Sequence, residues 1–254
     1  MKIFGNPVDM EFLNRLRQRY GFKVVEDAAH ATGAELRGER IGSCKWSDLC
    51  VFSFHAVKII TTGEGGMVTT NSPALYEELC RLRTHGISRD SRHRGSSRKF
   101  PWYYEKLELG NHYRMTDMQA ALGRSQLKKI KTFQAAREKV VASYADGLAQ
   151  LPLDLPRQTA GARSSWHLYP VCVQVGPARR DQVMGRIRRA GIMANLHYLS
   201  VPRFKFYQRN TGQVLASCPL AEKFAQREIS LPLFPAMGQS AVRRVVSTLR
   251  KALG

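Results

Sequence analysis

Two short apolar runs that each stop at chemically active side chains constrain this chain more than any other feature. Lys23-Val24-Val25 ends in Glu26-Asp27, and Leu49-Cys50-Val51-Phe52 ends in Ser53, with Lys58 shortly after. Short runs rich in β-branched and aromatic residues, bounded by polar ones, read as buried strands. Open α/β sheets bind ligands at the carboxyl ends of their strands, so Asp27 and Ser53 are expected at one rim. A lysine just past a buried strand is unusual, because a desolvated ammonium is costly unless it pairs with an anion or sheds its proton. Lysines in that state serve as Schiff-base nucleophiles.

An acid, a hydroxyl and such a lysine beside a sheet suit pyridoxal phosphate (PLP). A carboxylate facing the pyridine nitrogen keeps it protonated, so that the ring acts as an electron sink. The lysine holds the cofactor as an imine and shuttles the α-proton, and the hydroxyl donates to the cofactor phosphate. Taken alone, Lys58 reads as a surface lysine and Asp27 as a strand-end cap; each gains its meaning from the other and from the flanking motif.

That motif is Glu26-Asp27-Ala28-Ala29-His30-Ala31-Thr32-Gly33-Ala34, followed by Phe52-Ser53-Phe54-His55-Ala56-Val57-Lys58 and Thr61-Thr62-Gly63-Glu64-Gly65-Gly66. Leu82-Arg83-Thr84-His85-Gly86 and Tyr113-Arg114-Met115-Thr116-Asp117-Met118-Gln119-Ala120-Ala121-Leu122-Gly123 come next, in the same order. Together they resemble the DegT/DnrJ/EryC1/StrS family of sugar aminotransferases. The resemblance implies an α/β fold of the fold-type-I, aspartate aminotransferase-like class, with a partial large PLP-binding domain over 1–150 and a small C-terminal α/β domain over 151–254. It implies PLP as cofactor, Lys58 as the catalytic residue, and Asp27, His30, Ser53 and His112 as further cofactor contacts. His197 and Tyr198 are the implied substrate contacts. Related dehydratases carry His at the lysine position, and Lys58 argues against them.

Within the family, Pro101-Trp102-Tyr103-Tyr104-Glu105, Ser165-Trp166-His167-Leu168-Tyr169-Pro170 and Ser230-Leu231-Pro232-Leu233-Phe234-Pro235 most resemble the transaminases of pseudaminic acid biosynthesis. The implied partners are glutamate, as amino donor, and a UDP-linked 4-keto-6-deoxy-N-acetyl-hexose aminated at C4, within a homodimer. There are three departures. Family members carry roughly another third of a chain before the matching region, including a Ser-Gly-Thr turn at a helix N-terminus that cradles the cofactor phosphate, so this chain reads as a C-terminal fragment. His112 stands where the family has an Asn that reaches the neighbouring subunit's cofactor phosphate. After His197-Tyr198, the second His that relatives use toward the nucleotide sugar is absent.

Composition bounds the alternatives. With 254 residues and 43% hydrophobic content, the chain can bury one large or two smaller cores. No apolar run is long enough to cross a bilayer, and the first residues lack the apolar core of a signal peptide. Five scattered cysteines without a Cys-x-x-Cys pair read as reduced thiols of a cytoplasmic protein with no metal site. The formal charge of +20, from 40 Lys and Arg against 20 Asp and Glu, would suit nucleic acid. No zinc-finger, helix-turn-helix or RNA-binding motif accompanies it. The basic cluster Arg89 to Lys99 lies between two family motifs, where it would attract a nucleotide-sugar diphosphate or simply be a solvated surface. The arginines at 179, 180, 186, 188 and 189 read as the solvated face of one helix. The competing function is an inactive or split-gene fragment that needs a complementing N-terminal part, since a sheet stripped of strands exposes edges and apolar faces.

Alternating strand and helix signals from Lys23 to about Arg83 predict a doubly wound sheet. Ser72-Pro73 predicts a helix start and Gly86 its end. Thr116-Asp117-Met118-Gln119 is a capping box before one long helix with Leu122, Ile130, Phe133, Val140, Tyr144 and Leu148 on a face. Pro152 and Pro156 bracket a linker. Beyond it, Trp166 to Val175 reads as a strand, Arg179 to Ala190 as a helix, Ile192 to Tyr198 as a strand and Ser240 to Leu253 as a closing helix.

Overall fold

The structure is a computed structural model that describes residues 1–93, 100, 102–174, 176–210 and 218–254. Residues 94–99 of the basic cluster, Pro101 of the aromatic motif and Val175 lie outside the described residues. The elements are α1 (Met10–Tyr20), β1 (Val25–Asp27), β2 (Glu35–Leu36), β3 (Glu39–Arg40), β4 (Leu49–Ser53), β5 (Gly66–Thr69), α2 (Pro73–Leu82), β6 (Ile87–Ser88), β7 (Glu105–Lys106), α3 (Asp117–Lys128) and α4 (Ile130–Leu148). They continue as β8 (Leu153–Asp154), β9 (Ala162–Arg163), β10 (Tyr169–Val173), α5 (Pro177–Arg189), α6 (Lys205–Asn210), α7 (Pro219–Arg227), β11 (Glu228–Leu231) and α8 (Gln239–Leu253). No helix among the described residues is long and apolar enough to cross a membrane.

The two apolar runs pair as parallel strands, β1 with β4, in the register Asp27 opposite Val51. β5 returns antiparallel on the other side of β4, with Val51 opposite Val68 and Ser53 opposite Gly66. Side chains alternate across a pleated sheet, so Asp27, Val51, Val68 and Ser53 share one face. That face is open, with Val25, Val51 and Val68 exposed by 59%, 36% and 39%. The other face is closed by Met10, Cys44, Trp46 and Cys50, among others. On that side the buried Lys2 pairs with Glu26 at 2.8 Å, and the Ser47 hydroxyl donates to the same carboxylate. The doubly wound sheet expected over 23–83 is therefore a three-stranded mixed sheet, because β2 and β3 leave it to pair with β9.

Helix ends follow the local chemistry. Ser72 caps α2, and Gly86, at φ +69°, donates its N–H to the Arg81 carbonyl just past the helix end. Thr116 and Gln119 form the reciprocal capping box of α3, and Gln119 Nε2 also donates to the Glu64 carbonyl at 3.0 Å. Thr116→Ala should therefore cost about 1 kcal/mol in chemical denaturation, whereas Thr116→Ser should be close to neutral. The single long helix expected after Thr116 is two helices, broken at Lys129, whose φ of −96° and ψ of 0° leave the helical region.

The second core lies on the antiparallel sheet β11-β10-β8, covered by α4, α5 and α8. Tyr144 and Tyr169 meet at 5.0 Å in its centre with Val171, Ile187, Ile229 and Leu249, all nearly inaccessible. The Tyr144 hydroxyl donates to the Pro232 carbonyl at 2.8 Å, which satisfies its polar end. The expected strand over 166–175 is shorter, Tyr169–Val173. The expected strand over Ile192 to Tyr198 does not form; only Asn195 bridges to Ser230. A side chain replaces the ladder there, since the His197 N–H donates to Glu228 Oε2 at 2.8 Å.

The α5 arginines also depart from the solvated face expected of them. Arg179 and Arg186 donate to the Leu253 and Ala252 carbonyls, and Arg188 to the Ala194 carbonyl. The last carbonyls of a helix lack intrahelical partners and carry partial negative charge, which makes the end of α8 a natural acceptor for guanidinium groups. Arg180 is buried and donates to the Glu228 carbonyl at 3.4 Å.

The two cores meet through residues 164–168, which run beneath the motif after β1. Ser165 Oγ donates to the His30 carbonyl at 2.7 Å, and the N–H groups of Ser165 and His167 donate to the carbonyls of Gly5 and Phe4. Gly5 has φ +93°, and a Cβ there would lie 2.3 Å from Ser165 Oγ. Only glycine allows this approach.

Candidate active site

Lys58 lies in the turn after β4, where its N–H donates to the His55 carbonyl and the Thr62 N–H closes back on Phe54. Half-buried, its ammonium is pushed below the ordinary lysine range by desolvation, while the nearby Asp27 carboxylate opposes the shift. Asp27 is exposed at the end of β1, and its Oδ1 accepts the Ala29 N–H at 3.0 Å. Oδ2 has no hydrogen-bond partner among the described residues. Ser53 Oγ accepts the His55 N–H at 3.4 Å, which leaves the Ser53 hydroxyl proton available to donate.

His30 is buried, and its protonation follows from its contacts. The Phe4 N–H donates to Nδ1 at 3.3 Å, so the ring proton sits on Nε2, which faces the Tyr198 hydroxyl at 3.5 Å. Burial foremost, then Lys58, lowers its pKa to about 4, with Asp27 opposing. His30 is thus a neutral donor at Nε2 at neutral pH.

His167 packs against His30 in a tilted arrangement, with ring centroids 4.4 Å apart. Burial, then His30 and Lys58, takes its pKa down to about 2. Its Nδ1 is buried without a partner among the described residues. Both imidazoles are held neutral, and a depressed folded-state pKa contributes stability above the unfolded value that is lost as pH falls through the folded one. Resistance to denaturant should therefore decline as pH is lowered from about 6.5 toward about 4. The decline should be shallower in His30→Gln.

His197 is half-buried, and burial followed by Lys58 lowers its pKa. Its Nδ1 lies 2.9 Å from Ser230 Oγ, and its ring meets Tyr198 edge-on at 4.8 Å. Asp27, His30, Lys58, His197 and Tyr198 thus form one cluster of mutually interacting groups, with Ser53 on the same sheet face as Asp27. Among the described residues His112 has no interaction with that cluster. It is exposed, bridges to Thr84, and accepts a hydrogen bond at Nε2 from Arg114 at 2.6 Å. Sequence reasoning did not single out His167, Ser230 or Glu228 as site residues, because a lone polar residue inside an apolar run reads as a satisfied core group. Their positions inside quoted motifs or beside them were the available signal.

Residues 1–250 match the DegT/DnrJ/EryC1/StrS aminotransferase family. The chain belongs to that family. Its members depend on PLP, and Asp27, His30, Ser53 and Lys58 are the groups that could hold it. An uncharacterized protein of Methanocaldococcus jannaschii, MJ1066, is 38% identical over 250 residues, covering 97% of this chain and 64% of that protein. The Helicobacter pylori aminotransferase PseC, involved in pseudaminic acid biosynthesis, superposes with a TM-score of 0.89 at 28% identity, over 99% of this chain and 65% of PseC. The PLP form of Streptococcus pneumoniae Spr1654, also known in a PMP (pyridoxamine phosphate) form, gives 0.86 at 27% identity, over 99% and 66%. The chain thus spans about two thirds of the length of the relatives it matches.

Proposed function

We propose that this chain carries the cofactor-binding and amino-transfer groups of a PLP-dependent sugar aminotransferase. The observation that carries this reading is Lys58, half-buried in the turn after β4 and within electrostatic reach of the Asp27 carboxylate at the rim of a parallel strand pair. The bound cofactor supplies an electron sink that acidifies the carbon bearing the amino group. Free Oδ2 of Asp27 would accept the pyridine N–H, and the Nε2–H of His30 would donate to the ring oxygen. The Ser53 hydroxyl would donate to the phosphate. Lys58 Nζ, freed of its proton more readily than an exposed lysine, would bond covalently to the cofactor with loss of water and be displaced when the donor's amine takes its place. As a free amine it would then take and return the proton at the carbon bearing nitrogen. His112 would serve a neighbouring subunit's cofactor in a homodimer, because the bond from Arg114 to Nε2 leaves the proton on Nδ1 as a donor.

The likeness to PseC and the quoted motifs support glutamate as donor and C4 of a UDP-linked 4-keto-6-deoxy-N-acetyl-hexose as acceptor, with His197 and Tyr198 against the sugar and the pathway that of a surface polysaccharide or pseudaminic acid. The basic excess would draw in the diphosphate. The scattered cysteines favour the cytoplasm. A second reading rests on the exposed valines beside Asp27, which suit a chain that works only with a complementing N-terminal part.

The test is mass spectrometry of the keto-sugar nucleotide after incubation with PLP, glutamate and the chain, with and without a co-expressed N-terminal third of PseC. Amination by the chain alone supports the first reading. Amination only in the co-expressed pair supports the second, and no amination in either overturns both.

A further inference from the structure

We propose that Glu228 decides, through Ser230, which ring nitrogen of His197 carries the proton, and so whether His197 accepts from or donates to a hydroxyl or amide of a ligand beside Lys58. This deepens the sugar-aminotransferase reading and rests on it for the ligand's identity alone. Three contacts define the relay. The Ser230 hydroxyl donates to Glu228 Oε1 at 2.5 Å, Ser230 Oγ lies 2.9 Å from His197 Nδ1, and the His197 backbone N–H donates to Glu228 Oε2 at 2.8 Å.

The backbone contact makes the relay directional. An N–H group can only donate, so Oε2 always accepts; the unprotonated carboxyl oxygen is the better acceptor and Ser230 Oγ can accept from Oε1, so both contacts favour a Glu228 proton on Oε1, facing Ser230. With Glu228 ionised, Ser230 spends its proton on Oε1, and its lone pair accepts Nδ1–H. Nε2 is then bare, an acceptor. With Glu228 protonated, Oε1–H donates to Ser230, and Ser230 donates to Nδ1. The Nδ1 proton is released to solvent, Nε2 takes one up, and the net uptake is the single proton on Oε1. His197 Nε2 has become a donor. Nε2 has no hydrogen-bond partner among the described residues.

The surroundings place this exchange in an accessible range. Glu228 is fully buried and makes no ion pair among the described residues. Arg180 pairs with Asp181 instead and reaches only the Glu228 carbonyl. Burial raises the Glu228 pKa to about 7, against the opposing effects of Ser230, the His197 N–H and Arg180. Cys172 on β10 and Tyr198 also face it, and Lys58 and His30 act on His197 from across the cluster. Burial and Lys58 keep the His197 ring from taking a second proton in the same interval.

The test uses the full chain labelled with ¹⁵N-histidine, without cofactor or substrate, and long-range ¹H–¹⁵N correlation spectra with the His197 signal assigned from His197→Gln. The expected result is a protonated Nδ1 well above pH about 7 and a protonated Nε2 below it. In Glu228→Gln, the amide oxygen must take the backbone N–H and the amide NH₂ must face Ser230, which locks protonated Nε2 at every pH. Ser230→Thr should keep the wild-type switch and Ser230→Ala should lose it, with circular dichroism confirming the fold of each. A tautomer that ignores both pH and Glu228→Gln overturns the relay. Because no cofactor or sugar is present, that result leaves the amino-transfer assay untouched, and a failed assay leaves the relay standing.

Discussion

Lys58→Ala should abolish the visible absorbance that develops when PLP is added to the chain, and should lower any amino transfer by ~10²–10⁴-fold. The expectation follows from what Lys58 lacks. Its Nζ makes no hydrogen bond or ion pair among the described residues, yet it is half-buried and desolvated, with Asp27 as its main electrostatic partner. Such a group is held for its reactivity and contributes little to the fold, so the variant should unfold at the same denaturant concentration as the parent, or slightly above. Lys58→Arg should be as inactive as the alanine variant, because a guanidinium keeps the charge but does not give up its proton. Absorbance and transfer that survive in either variant would remove Lys58 from the site.

The largest stability effect is expected at Arg137, whose replacement by leucine should cost about 1–3 kcal/mol in chemical denaturation for each buried carbonyl left without a donor. Arg137 is 6% exposed, and its Nη1 donates to the carbonyls of Trp166, His167 and Leu233. No carboxylate accompanies it among the described residues, and burial alone lowers its pKa to about 10. The guanidinium therefore joins α4 to the segments before β10 and after β11, and its removal leaves three carbonyls short of a donor inside the protein. The Trp166–His167 segment also carries the ring that packs against His30. The variant should accordingly bind PLP more weakly even where it remains folded, as measured by absorbance titration. An unchanged unfolding midpoint would mean that water or rearranged backbone replaces the guanidinium.

The sequence was most readable where a single local rule decides the outcome. The pairing of β1 with β4 follows from apolar runs that stop at Asp27 and Ser53, and the caps of α2 and α3 follow from Ser72-Pro73 and from Thr116 with Gln119. It was least readable where a distant group overrides the local pattern. The apolar alternation after Ile192 looks like a strand, but Glu228 takes the backbone N–H that a ladder would have used. The α5 arginines look like a solvated face because the carbonyls that receive them lie far along the chain, on α8. The break between α3 and α4 at Lys129 has no glycine or proline to announce it. Within the site, Asp27 and Lys58 were visible as strand-end chemistry. His167 was hidden as one more residue of an aromatic run, and Ser230 and Glu228 as the polar positions of a buried strand.

That Lys58 is the residue that takes the cofactor is tested most directly by treating the chain with PLP, reducing it with borohydride and mapping the added mass by peptide mass spectrometry. The expected result is one modified peptide, the one that carries Lys58, absent from Lys58→Ala. Label spread over surface lysines, or concentrated at a lysine other than Lys58, would contradict it.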